Sequence, residues 1–253
     1  MSSEKSEAIV LRAVPWSETS FVVTLFTRDF GKVSAVAKGA RRLRSPFESS
    51  LDLLAKSQIV FISKNNETLD ILTEAKLTRR FRSGQISLLS LYCGYYVAEL
   101  LLTLTEDHQK IIDLFEMSDR TLIDLDEGKS PPEVVLRFEM QLLKLLGHLP
   151  TFHLCATCGN PVESERNGDG TRLGIAAGGV LCPNCLQGQR FVLRIRDSTL
   201  RYLISYATAD WSQEPEKIDS DYRGEMRFVM EKFISNLADR RLRLTEFLEE
   251  LKR

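Results

Sequence analysis

Two Cys-x-x-Cys pairs, Cys155/Cys158 and Cys182/Cys185, stand 23 residues apart. A two-residue spacer lets both thiolates of a pair reach one ion from a single knuckle, and two knuckles complete a tetrahedral shell. Gly168, Gly170, Gly174, Gly178 and Gly179 fall between the pairs, so this stretch reads as loop and ribbon rather than helix. The spacing predicts a four-cysteine segment over 151–190, with one structural zinc ion held by Cys155, Cys158, Cys182 and Cys185. The competing readings are a reduced remnant of a metal site and a redox dithiol. No βαβ pattern surrounds either pair, which counts against the dithiol. A closed shell stabilises its segment and leaves no position for a substrate. His153 stands near the first pair, but four sulfurs already fill the shell. Cys93 lies on an apolar run and reads as a core thiol.

Residues 1–80 have a different pattern. Ala8–Ala13, Phe21–Thr27, Val33–Lys38, Ser57–Ser63 and Thr68–Lys76 are short runs rich in Val, Ile, Phe and Thr, divided by polar and turn residues. Asp29-Phe30-Gly31-Lys32 and Asn65-Asn66 mark hairpins. Five such strands suit a small closed barrel, of which the OB-fold is the five-stranded form. An SH3-like barrel is the competing architecture.

From Phe81 the period changes. Ile86–Leu104 is apolar nearly all round and reads as the central helix of a bundle. Ile111–Leu125 is amphipathic. Ser130-Pro131-Pro132-Glu133 has the form of a capping box opening a third helix. That helix carries Val134, Val135, Phe138, Leu142, Leu145 and Leu146 on one face and stops at Gly147. Helical pattern returns near Ser198, then at Met226–Leu237, and a last stripe is Leu244, Phe247, Leu248 and Leu251. The predicted architecture is α+β and multi-domain. A five-stranded OB-type barrel (1–80) precedes a helical domain (81–150 and 191–253) that carries the four-cysteine zinc insertion (151–190).

Charge is unevenly placed. The first 82 residues hold 14 Lys+Arg against 9 Asp+Glu, and the remainder 20 against 26, although the whole chain is −1. The cations concentrate at Lys32, Lys38, Arg41, Arg42 and Arg44, and no acid falls between Asp29 and Glu48. Such a cluster gains by displacing counterions from a polyanion, whereas an isolated basic loop is most simply a solvated surface. Arg79, Arg80 and Arg82 either extend that surface or pair with acids of the helices. Trp16, Phe30 and Phe47 occupy loop-like positions where bases could stack. No nucleophile elbow or phosphate loop appears, so nothing points to an enzyme. The polar start Met1–Glu7 is no signal peptide. Glu99 with several Ser and Thr argues against a membrane span in the apolar run, and the two observations point to the cytoplasm.

Three blocks resemble the RecO family of DNA repair proteins. The first is Glu18–Thr27 with Phe30-Gly31-Lys32 and Ala37-Lys38-Gly39-Ala40-Arg41-Arg42. The second is Leu142–Pro150 with Phe152, running into Cys155-x-x-Cys158-Gly159. The third is Gly178-Gly179-x-Leu181-Cys182-x-x-Cys185. The resemblance implies an OB barrel that binds single- and double-stranded DNA, followed by a helical domain with a zinc region. It implies a mediator that works with RecR, contacts the acidic C-terminal tail of SSB, anneals complementary strands and helps load RecA. Lys38, Arg41, Arg42 and Arg44 match the family's basic loop, and the four cysteines match its zinc ligands. Lys32, Arg79 and Arg80 join the expected DNA surface from their charge. Arg240, Arg241 and Arg243 read as a helix-end cation cluster, with an acidic-tail contact as the alternative. The rival functions are a zinc-ribbon adaptor that binds only proteins, and a hydrolase needing an open metal position.

Overall fold

In a computed structural model that describes residues 2–42, 44–47, 49–64, 68–162, 170–210 and 217–245, the chain divides between Pro131 and Pro132 into two units. The first opens with β1 (Ser2–Pro15), β2 (Phe21–Thr27), β3 (Gly31–Ala37), β4 (Lys56–Ser63) and β5 (Asp70–Arg79). They close into a barrel in the order β1-β2-β3-β5-β4, with β3 and β5 parallel and the other pairs antiparallel. This is the OB-type arrangement. β1 is longer than its apolar run because Ser2–Ile9 pairs with Lys56–Ser63 through ladder hydrogen bonds, a pairing that polar side chains tolerate and do not advertise. A bulge between Val10 and Arg12 bends the strand, so that its first half serves β4 and its second half β2.

Alternation sorts the barrel's side chains. Val23, Leu25, Val33, Ala35, Ile59, Phe61 and Leu72 fill the interior, each large one contributing about 1.5–3 kcal/mol by leaving water. The outer face forms register rows. Lys56, Ile9, Phe26 and Lys32 make one row. Val14, Val22, Val36, Ile71 and Ile62 make another, nearer the opposite end of β2.

Helices α1 (Leu88–Leu104) and α2 (Ile112–Asp126) belong to the same unit and cover the first row. The rings of Phe26 and Phe115 stand 6.2 Å apart, and Ile9 and Phe26 are buried. Ser87 caps α1 by accepting the N–H of Ser90. Gly94 is the close-approach point of α1: a Cβ there would meet the Phe81 ring at 2.3 Å and Leu54 at 2.9 Å. Gly31 meets two demands, a φ of +64° in the β2–β3 turn and a backbone approach to Gln109 that no side chain could share.

The second unit holds α3 (Pro131–Leu145), α4 (Asp197–Thr208) and α5 (Ser220–Leu237) with a three-stranded sheet. Its strands are β6 (Thr171–Gly174), β7 (Gly179–Val180) and β8 (Val192–Ile195), in the order β7-β6-β8. α3 is buried more widely than one stripe, with Leu136, Met140 and Leu143 inside as well. Two polar residues join them. Arg227 of α5 donates to Glu139, both buried, and Gln141 donates to the carbonyls of Tyr206 at 3.1 Å and Ala209 at 2.9 Å. Glu133, read as half of a capping box, accepts from Arg223 at 2.7 Å. Gly147, at φ +76°, follows the end of α3 as expected. The hairpin at Asn65-Asn66 and the stripe beyond Leu244 (Phe247, Leu248, Leu251) lie outside the described residues. Among the described residues no helix is long and apolar enough to cross a membrane.

Candidate nucleic-acid interface and metal centre

The basic stretch divides into two groups. Lys32 turns its charge toward the helices: its side chain is 12% exposed, and its ammonium donates to Thr105 O at 2.6 Å and Leu102 O at 3.1 Å and stands 3.4 Å from Asp107. These carbonyls end α1, where the helix dipole is negative. Arg79 pairs with Asp119 at 2.5 Å and Asp126 at 3.4 Å. Lys56 shares Asp119 at 2.8 Å and reaches Glu7 at 3.2 Å. Burial pulls the Lys56 pKa down, but the hydrogen bond and charge of Asp119, then those of Glu7, outweigh it and leave it raised. Arg28 is tied to Glu116 at 2.8 Å.

Lys38, Arg41, Arg42, Arg44 and Arg80 are exposed, and none makes an ion pair among the described residues. The loop is nonetheless anchored. Gly39 takes φ +76°, Arg42 N donates to Gly39 O at 3.1 Å, and Arg41 N donates to Thr19 O at 3.1 Å. The Arg41 guanidinium donates to Ser17 O at 2.6 Å and lies 5.8 Å from the Phe21 ring centre. Phe47 closes the loop by entering the barrel core. The three loop aromatics therefore separate. Phe47 is buried, Phe30 packs edge-on against Phe61 at 5.3 Å, and Trp16 stays 68% exposed.

In the second unit the sulfurs of Cys155, Cys158, Cys182 and Cys185 all lie within 4.8 Å of one another. The group contains no histidine, and His153 stands outside it. Two backbone features build the pocket. Gly159 N donates to Cys155 O at 2.8 Å to close the first knuckle, and Cys185 N donates to Cys182 O at 3.0 Å in the second. Burial pushes the Cys155 thiol up, but N–H groups of Cys182, Cys158 and Thr157 aimed at its sulfur bring it down to about 6. Cys185 goes the other way, to about 12, through its contacts with the Cys182 and Cys158 sulfurs and then through burial. Four thiolates this close repel unless a cation sits among them. A tetrahedral ion with metal–sulfur bonds of about 2.3 Å sets sulfurs roughly 3.8 Å apart; Cys158 and Cys182 are 3.8 Å apart. The donor set and its spacing thus fit one metal ion in a closed shell.

Residues 1–81 match the family profile described as "Recombination protein O N terminal", and residues 87–246 match "Recombination protein O C terminal". The chain is 43% identical to the DNA repair protein RecO of Rhodopirellula baltica over 85% of its length and 78% of that relative.

The chain belongs to the RecO family of DNA repair proteins.

The RecO of Anaeromyxobacter dehalogenans is 32% identical over 99% of this chain and 98% of its own. That of Listeria welshimeri is 27% identical over 92% and 94%. In this RecO-family chain, charge counting found the basic loop but not Asp119, on which Lys56 and Arg79 converge. Asp119 lies on the predicted amphipathic helix among other acids, and no local signal sets it apart.

Proposed function

We propose that this RecO-family chain is a non-enzymatic, DNA-binding recombination mediator. Its barrel holds phosphates of single- and double-stranded DNA through Lys38, Arg41, Arg42, Arg44 and Arg80. Neutralising phosphates on two strands lowers their repulsion, which is what annealing requires. In this reading residues 1–80 bind DNA and the helical segments 81–150 and 191–253 serve RecR and the acidic tail of SSB, so that RecA is loaded on the strand that SSB releases. Segment 151–190 is held by structural zinc on Cys155, Cys158, Cys182 and Cys185. The observation that carries the proposal is the exposed cation loop, anchored to an OB-type barrel and lacking acid partners among the described residues. Lys32 and Arg79 support that surface from beneath, since their charges are engaged by α1 and α2.

The test is a gel shift with a single-stranded oligonucleotide, with and without SSB, across a salt series. Affinity that falls steeply with salt, together with a complex that survives SSB, supports mediation. A protein adaptor without DNA contact gives no shift at low salt while binding to protein partners persists.

A further inference from the structure

The outer row Val14–Val22–Val36 lies on β1, β2 and β3 beyond the row that the helices cover. Val22 and Val36 are half-buried and Val14 is 38% exposed. Residues Thr24 and Ser34 separate it from Phe26 and Lys32, their hydroxyls 3.5 Å apart. Continuing the β1–β2 and β2–β3 registers by one step places Trp16 opposite Ser20 and Lys38 on the other side of Ser20. The hydrogen bond from Trp16 N to Ser20 O, 3.0 Å, keeps Trp16 on that register. An indole 68% exposed thus follows an apolar row, with Lys38 across one strand and Arg41 bonded to the next residue, Ser17.

An apolar row alone says nothing of its occupant. Here the cations of Lys38 and Arg41 border it, and an aromatic plane ends it. That combination fits an occupant with flat apolar faces on an anionic backbone, and a paired duplex keeps those faces stacked inside. Resting on the DNA-binding reading above, we infer that Trp16 stacks on an unpaired base, with the Val14–Val22–Val36 row as its floor, and that this contact makes the barrel favour single strands. Duplex engages the same loop through its phosphates alone.

The sequence has two tryptophans, so Trp211→Phe leaves Trp16 as the sole indole reporter. Unstructured oligo-dT and a hairpin duplex of equal charge are titrated, with occupancy read independently from the anisotropy of labelled DNA. The expected result is strong quenching of Trp16 by oligo-dT and little by the hairpin at equal occupancy. Trp16→Ala lowers oligo-dT affinity roughly 5- to 150-fold, the usual loss of one stacked base, and changes hairpin affinity little. Trp16→Phe keeps most of the affinity. DNA that binds by anisotropy without quenching, or equal loss on both ligands in Trp16→Ala, overturns the stacking inference and leaves the cationic reading standing. No binding of either ligand overturns both.

Discussion

Lys32 donates its ammonium to the carbonyl of Thr105 at 2.6 Å, a bond that ties the β2–β3 hairpin to the C-terminal end of α1. Its charge therefore joins barrel to helix. Lys32→Ala should lower the unfolding free energy by about 1.5–3 kcal/mol, the usual worth of hydrogen bonds to a charged group, read from urea denaturation. The dependence of DNA affinity on salt should stay as in the parent. A lower salt slope with unchanged stability would place Lys32 on the DNA surface after all.

Arg41 and Arg42 should behave in the opposite way. Each phosphate contact on a single strand contributes about 0.7 to the slope of log affinity against log salt. Replacing both by alanine should reduce that slope by roughly 1.4 with little change in the unfolding midpoint. The loss of the Arg41 bond to Ser17 O is an exposed contact.

Lys56 gives a pH signature. Its folded pKa is raised by Asp119 and Glu7 against the pull of burial. Its stabilisation is therefore fully present below the ordinary lysine value of about 10.5 and disappears as pH rises through the higher folded value. Stability measured from neutral pH to above 10.5 should fall more steeply in the parent than in Lys56→Met, whose curve lacks this contribution. Parallel curves would mean that the ion pair with Asp119 has no net effect.

The purified protein, kept reduced, should carry close to one equivalent of zinc. Chelation or Cys158→Ser should open residues 151–190 to protease while leaving oligonucleotide binding by the barrel unchanged, because a closed shell orders its own segment. Full protection after the metal is removed would make the cysteines a remnant.

Gly94→Ala tests the α1 contact. The added Cβ falls 2.3 Å from the Phe81 ring, and crowding of this kind costs about 1–3 kcal/mol. Equilibrium denaturation should show the loss, and Gly224→Ala, where a Cβ meets nothing within 4 Å, should not destabilise the chain.

Local signals recovered what local chemistry determines. β2 was legible to the residue because Phe21–Thr27 is a run rich in Val, Phe and Thr that ends just before a glycine turn. The cysteine cluster was legible because its spacing encodes its geometry. The N-terminal half of β1 was not, since its pairing with β4 rests on backbone bonds. Glu139 and Gln141 on α3 were not, because their partners, Arg227 and the Tyr206 and Ala209 carbonyls, are distant in sequence. Charge alone grouped Lys32 with Arg41; only the fold separates a cation that braces a helix end from one that faces water.

The extra residue in β1 has a further consequence. Leu11 resets the in-and-out parity of everything after it, so Arg12 stands opposite Thr24 rather than Val23. Run straight with every residue kept, the strand would put Leu11 opposite Thr24, swing the Arg12 guanidinium toward the oily interior opposite Val23, and turn the tryptophan to the wrong side. The bulge is thus what keeps the second half of this strand facing the right way.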